Sequence, residues 1–147
     1  MTTIGEKAPD FEVKDQNGNP VKLSSFKGKK VLLAFFPSAF SPVCTDEMGC
    51  FQHDINQFKA KGVEVLCISV DSYWSNKAFA EKLGVNFPLL SDFSKDAAKN
   101  FGVLRAEGFS ERAYFVVDEK GIIRFKHVMD SPGKKLDNKE LLKALGK

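Results

Sequence analysis

Histidine is nearly absent from this chain. It has only His53 and His127, and its three cysteines form no Cys-x-x-Cys pair. No histidine stands at metal-ligand spacing from a cysteine, so a zinc site is not expected. A cysteine hydrolase would need a histidine base, which His127 alone could supply, and no other residue supports that chemistry. No apolar run approaches membrane-spanning length, and Met1 to Lys7 lack a basic stretch followed by an apolar one, so a soluble cytoplasmic protein is expected. No block of one charge stands out either. The 22 Lys and Arg and 19 Asp and Glu are interspersed at net +3, the pattern of a solvated surface rather than a nucleic-acid patch. An odd count of three cysteines without a secretion signal argues against a disulfide framework and for thiol chemistry or buried thiols. Internal repeats, low-complexity segments and interdomain linkers are also missing.

What is present is enough apolar residue for one domain over 1–147: 43% of the chain is hydrophobic, which can fill a real core at this length. Fourteen phenylalanines predict an aromatic-rich core or interface. Val31-Leu32-Leu33-Ala34-Phe35-Phe36 is a short continuous apolar run, the pattern of a strand buried on both faces. Pro37 ends it. Ser41-Pro42 then reads as the N-cap and first residue of a helix, the serine hydroxyl accepting an orphan N–H and the proline lacking one. Apolar residues recur behind them at Met48, Phe51, Ile55 and Phe58, and Lys59, Lys61 and Gly62 close the helix near Ala60. Cys44 therefore falls in the first turn, on the inward face. A thiol there meets the positive end of the helix dipole and free N–H donors, both of which favour a thiolate. It can equally be a small buried hydrophobe, the usual role of a free cysteine.

Around this centre the chain reads as a mixed α/β protein. Alternating residues at 11–14 and 21–23 flank Asn17-Gly18, a hairpin signal. Val63 to Val70 is a second buried strand, and strand, helix, strand in this order implies a parallel crossover. Helices are expected at about 76–83, 95–101 and 138–145, a short strand at 87–90, and an antiparallel hairpin from 113–117 and 122–125 about Asp118-Glu119-Lys120-Gly121. Cys67, in the middle of its strand, reads as a packing thiol.

Pro37, Ser41 and Cys44 match the Pro-x-x-x-Thr/Ser-x-x-Cys signature of the peroxiredoxins, and Ser41-Pro42-Val43-Cys44-Thr45 resembles their active-site loop. The likeness continues through Ser69-Val70-Asp71-Ser72, Phe87-Pro88-Leu89-Leu90-Ser91-Asp92 and Arg112-Ala113-Tyr114-Phe115-Val116-Val117-Asp118, covering nearly the whole chain in order. The resemblance implies a thioredoxin-like mixed sheet sandwiched by helices with an N-terminal β-hairpin extension. It implies a thiol peroxidase acting on hydrogen peroxide and small organic hydroperoxides, without metal, haem or flavin, and reduced by thioredoxin or another thiol. Cys44 would be the nucleophile. Pro37 would shield its pocket, Ser41 would hydrogen-bond the peroxide, and Arg112 would stabilise the thiolate, a role its forked and permanently charged guanidinium suits. Glu47 would orient Arg112, although a first-turn glutamate also suits the helix dipole.

Cys50 lies near the resolving cysteine of the bacterioferritin-comigratory (PrxQ-like) subgroup, with five residues between it and Cys44 instead of that subgroup's usual four. Six helical positions mean about 9 Å of rise, while disulfides want Cα atoms within about 7 Å. The helix would have to unwind, which Gly49 would ease. Either Cys50 or an external thiol, as in one-cysteine (AhpE-like) subgroups, clears the sulfenic acid. No cysteine follows the last helix, so the C-terminal resolving cysteine of typical two-cysteine members is not expected here. A thioredoxin-type reductase would want Cys-x-x-Cys where this chain has Ser41-Pro42-Val43-Cys44. A redox sensor or thiol-dependent chaperone would use the same Cys44 without peroxidase turnover. The family likeness leaves monomer or homodimer open, with Phe40, Tyr73, Trp74 and Phe109 as candidates for an edge interface.

Overall fold

The computed structural model describes residues 3–131 and 133–145; Met1 and Thr2, part of the N-terminal stretch examined for a leader, lie outside them. In chain order the elements are β1 (Glu12–Lys14), β2 (Pro20–Lys22), a 3-10 turn (Leu23–Phe26), β3 (Lys30–Phe35), α1 (Pro42–Ala60), β4 (Val63–Ser69), α2 (Tyr73–Leu83), β5 (Leu89–Ser91), α3 (Asp96–Asn100), β6 (Ala113–Val117), β7 (Ile123–Val128) and α4 (Asn138–Leu145). Seven strands form one sheet in the order β2-β1-β5-β4-β3-β6-β7. β3, β4 and β5 run parallel. β6 pairs antiparallel with β3 and β7 with β6, which is the expected C-terminal hairpin. The N-terminal hairpin joins the sheet at its other side, where Lys14 pairs with Ser91.

The apolar run 31–36 is buried throughout because helices cover both faces. Leu32, Ala34 and Phe36 face a cluster built with Met48, Phe51 and Phe58 of α1, Phe79 of α2 and Leu141 of α4. Val31, Leu33 and Phe35 face the opposite cluster with Phe101, Phe115 and Phe11. This is the two-residue alternation of a strand, hidden in the sequence because both sides are apolar. The phenylalanines supply much of the second core: Phe35, Phe101 and Phe115 stack mutually at ring separations of 5.0–5.9 Å. Each such buried ring contributes about 1.5–3 kcal/mol through burial.

Several boundaries differ from expectation. α2 begins at Tyr73 rather than near 76 because Ser72 caps it, its hydroxyl accepting from Ser75 N–H. Its end is as expected: Gly84 closes it at φ +66, a left-handed position that glycine takes without strain. β7 runs to Val128, since pairing with β6 continues to the Ala113–Val128 register. The short strand lies at 89–91 rather than 87–90, and the 3-10 turn after β2 was not expected. α1 and α4 have the expected limits. At the start of α1, Ser41 occupies the N-cap and Pro42 the first turn, but the Ser41 hydroxyl caps nothing. It donates instead to Ser38 O at 3.1 Å.

Candidate active site

α1 presents Cys44, Glu47, Met48, Phe51, Ile55 and Phe58 on its buried face. Steps of three and four residues keep these positions on one stripe, so Glu47 lies one turn beyond Cys44 and points the same way. Opposite them is β6, whose start is fixed by its neighbours. Ser110, also buried, donates its hydroxyl to Phe36 O, and Arg112 O accepts Met129 N–H at 2.9 Å. The Arg112 side chain, only 1% exposed, crosses to α1. Its NH2 donates to Cys44 Sγ at 2.9 Å and its NH1 to Glu47 Oε1 at 2.6 Å.

A fourth residue completes the cluster. The Tyr114 phenol, fully buried, donates to the other Glu47 oxygen, Oε2, and accepts Leu136 N–H at 3.1 Å. Tyr114 was not singled out in the sequence, where it sits in an apolar five-residue strand and reads as core. Burial raises the affinity of the Glu47 carboxyl for a proton, opposed by the Arg112 charge and by the Tyr114 and Arg112 hydrogen bonds. Burial works against the Arg112 charge too, yet Glu47 and Cys44 outweigh it and hold the guanidinium protonated more firmly than usual. Burial also pushes the Tyr114 phenol well up, so it remains a donor throughout the working range. Since Glu47 offsets much of the Arg112 charge, the pair acts chiefly by geometry: one planar fork is held by Glu47 through NH1 and directs NH2 at sulfur.

The predicted site residues fall into three groups. Cys44, Glu47 and Arg112 are bonded to one another. Pro37 is buried just beyond β3, and Ser41 stands three positions before Cys44 with its hydroxyl engaged by Ser38; both belong to the loop that leads into α1. That loop is pinned at Ala39, whose N–H donates to Asp71 Oδ2 at 2.8 Å. The same oxygen accepts the Ser69 hydroxyl at 2.8 Å, and next in the loop Phe40 adopts φ +67. Cys50 stands apart. It is half-buried within the unbroken α1, its carbonyl accepting Asn138 Nδ2 at 3.0 Å. All three cysteines are free thiols. Cys67 is fully buried, and burial pushes its thiol far up, in keeping with a packing role. Among the described residues no group of three or more His, Cys, Asp or Glu is placed to hold a metal ion, and no helix is long and apolar enough to cross a membrane.

A buried cysteine sulfur at a helix start, facing a guanidinium donor, is equipped to attack an electrophilic atom and to support charge on what leaves. Comparison with known proteins agrees with that chemistry. Residues 4–126 match the AhpC/TSA family. Alkyl hydroperoxide reductase E of Mycobacterium tuberculosis is 39% identical over 143 residues, covering 95% of this chain and 93% of that protein. Chloroplastic peroxiredoxin Q of Sedum lineare is 41% identical over 125 residues, 83% of this chain and 67% of its own length. Among solved structures, AhpC of Enterococcus faecalis superposes with a TM-score of 0.92 at 31% identity, over 99% of this chain and 92% of that one. Peroxidoxin BcpB of M. tuberculosis gives 0.89 at 29% identity, over 99% and 97%.

Proposed function

The chain belongs to the AhpC/TSA family, and on that premise we propose that Cys44 is the nucleophile of this thiol-dependent peroxidase, with Pro37, Ser41, Glu47 and Arg112 forming its site over a single catalytic domain. The Cys44 thiolate attacks the hydroxyl-bearing oxygen of a hydroperoxide. An S–O bond forms, the O–O bond breaks, and the other oxygen leaves as alkoxide or hydroxide, which takes up a proton to become alcohol or water. Cysteine sulfenic acid is the product. A thiol then attacks the sulfenic sulfur, releasing water and forming a disulfide that a second thiol reduces. The NH2···Sγ hydrogen bond at 2.9 Å, between two fully buried groups, carries this reading.

In these roles Arg112 supports the sulfur anion and then the developing charge on the departing oxygen. Ser41, by rotating its hydroxyl away from Ser38 O, supplies a further donor, alongside the first-turn N–H groups it does not cap. Pro37 helps keep water out. The substrates are hydrogen peroxide and small organic hydroperoxides, and the reductant is thioredoxin or a comparable thiol. A sensor or chaperone without turnover is not favoured, because the relatives are named as peroxiredoxins and hydroperoxide reductases. The compartment on this reading is the cytoplasm, which fractionation of producing cells checks. Two exposed aromatics mark a surface for a second copy of the chain. Phe40 is 47% and Trp74 66% exposed. Phe40 packs on Phe79 of α2, the helix that starts with Tyr73 stacked on Trp74 at 4.4 Å.

The deciding experiment is Cys44→Ser, followed by peroxide consumption in the presence of a thiol donor. Hydroxyl for thiol keeps the packing, so the fold persists while turnover disappears. A Cys44→Ser protein that consumes peroxide at near the wild-type rate overturns the assignment.

A further inference from the structure

Arginine at a cysteine sulfur is useful only if it stays where the sulfur is. A guanidinium on a long side chain has several staggered torsions to choose among, so something must select one. In this molecule the selection runs outward from the sulfur through a file of buried groups. Arg112 NH2 meets Cys44 Sγ, NH1 meets Glu47 Oε1, Glu47 Oε2 meets the Tyr114 phenol, and that phenol meets the Leu136 N–H. Every side chain in the file is buried, Glu47 to 2% exposure. The last link is main chain, in the segment leading to α4. That segment and the start of α4 are attached to α1, Lys135 pairing with Asp46 at 3.6 Å and Asn138, the first residue of α4, donating to Cys50 O and Asp54 Oδ2.

We propose that Tyr114 is a positioning residue of the peroxide site, its hydroxyl fixing Glu47 so that Arg112 keeps one guanidinium nitrogen on Cys44 Sγ. This rests on the reading of Cys44 as nucleophile. A tyrosine retained only for packing would need just its ring. Here the hydroxyl is a link within the file, donating to Glu47 on one side and accepting from Leu136 N–H on the other, which fixes its rotor. Without that donor Glu47 Oε2 would be a buried acceptor with one partner fewer, free to rotate and to take up a proton. The groups acting on Glu47 come from several elements: Arg112 just before β6, the Tyr114 donor on β6, and Lys135 on the segment before α4, with Cys67 of β4 feeling the Glu47 charge. Of these only the Tyr114 donor is removed by Tyr114→Phe. Burial already favours protonated Glu47, and losing a donor to the anion favours it further. Protonation takes away the charged acceptor that holds Arg112 NH1.

The test uses the full chain and follows single-turnover oxidation of Cys44 by hydrogen peroxide across pH. Tyr114→Phe is expected to slow the reaction about tenfold at neutral pH and to move the acid limb of the rate profile to higher pH. In a Glu47→Gln background the same substitution should add nothing further, since there is no carboxylate left to fix. A role in packing alone would leave the limb in place and slow both backgrounds equally. Should Tyr114→Phe not fold, fluorotyrosine incorporation keeps the shape. The chain has only two tyrosines, so a Tyr73→Phe protein carries the label at Tyr114 alone, and the more acidic phenol should shift the acid limb downward. An unshifted limb in either protein overturns the proposal. Cys44→Ser measured alongside separates the two readings: if it is inactive while the Tyr114 variants match wild type, only the positioning role fails, and if it remains active, the nucleophile assignment fails with it.

Discussion

Replacing Arg112 with alanine removes two charge-assisted hydrogen bonds at once, the 2.9 Å contact to Cys44 Sγ and the 2.6 Å contact to Glu47 Oε1. Hydrogen bonds to charged groups contribute about 1.5–3 kcal/mol each, and about 1.4 kcal/mol is tenfold in rate. Loss of the sulfur contact alone therefore predicts peroxide reaction slower by roughly ten- to a hundredfold. Arg112→Lys should recover only part of this. The native contacts use two nitrogens of one rigid plane, and a single ammonium cannot occupy both positions. Stopped-flow oxidation of Cys44 under excess peroxide measures the effect directly.

The same substitution has a stability signature with a defined sign. Without Arg112 the Glu47 carboxylate is buried and unpaired, a loss of about 3–5 kcal/mol for a broken buried pair while the group stays ionised. Burial raises the folded-state proton affinity of Glu47 above its unfolded value, and removing the opposing Arg112 charge raises it further. A carboxyl shifted up in the folded state binds a proton there first, so its penalty is absent at low pH and develops as pH rises through the folded-state value. The gap in thermal midpoint between wild type and Arg112→Ala should thus be widest at alkaline pH and narrow on acidification. Rates within twofold of wild type, with a gap that does not change with pH, would refute the reasoning.

Two further outcomes are expected. If Cys50 resolves the sulfenic acid, one equivalent of peroxide should give a Cys44–Cys50 disulfide by peptide mapping, with amide exchange rising over 42–51 because the bond cannot close across an intact α1; a stable sulfenic acid with Cys50 free decides for an external thiol. If the Phe40 and Trp74 edge seats a second copy, sedimentation velocity should show a dimer whose dissociation constant rises at least tenfold in Trp74→Arg, and a wild-type monomer at every accessible concentration excludes the interface.

The elements most legible in the sequence are those whose pattern has one physical cause. The run 31–36 announces a strand covered on both faces, and Ser41-Pro42 announces the start of α1, whose stripe ends where Gly62 follows. Legibility falls where partners from elsewhere in the chain decide. Nothing near Val128 says that β7 continues to it; the extra residues are recruited by pairing along the whole of β6, Ala113 opposite Val128. Tyr73 and Trp74 show no apolar period because their helix turn faces solvent, and the only local sign that α2 starts there is a serine at 72 with another three residues on. Ser41 illustrates a different loss: its position as N-cap could be read, but the Ser38 carbonyl competed successfully for its hydroxyl.

The candidate site divides along the same line. Helical spacing alone places Cys44 on the inward face of α1, whereas Glu47, on the same face one turn later, was expected only as a partner of Arg112 or of the helix dipole. Arg112 lies 68 positions from Cys44, and no local pattern distinguishes it from a surface arginine, so it entered only through family resemblance. Asp71 and Tyr114 were quoted in that resemblance without a role. Yet Tyr114 carried a physical signal of its own. Strand 113–117 is apolar except for one hydroxyl, and a phenol buried at the centre of a sheet needs a partner for its O–H. Ala113, Phe115, Val116 and Val117 offer none, so the partner had to be a polar group buried elsewhere. Buried carboxylates are rare, and Glu47, expected only to orient Arg112 or to suit the helix dipole, is one, on the inward face of α1 one turn from the cysteine. A tyrosine in an otherwise apolar strand and a glutamate on an apolar helix stripe each have an unmet need that the other satisfies, and in this fold they meet beside the arginine that reaches the reactive sulfur.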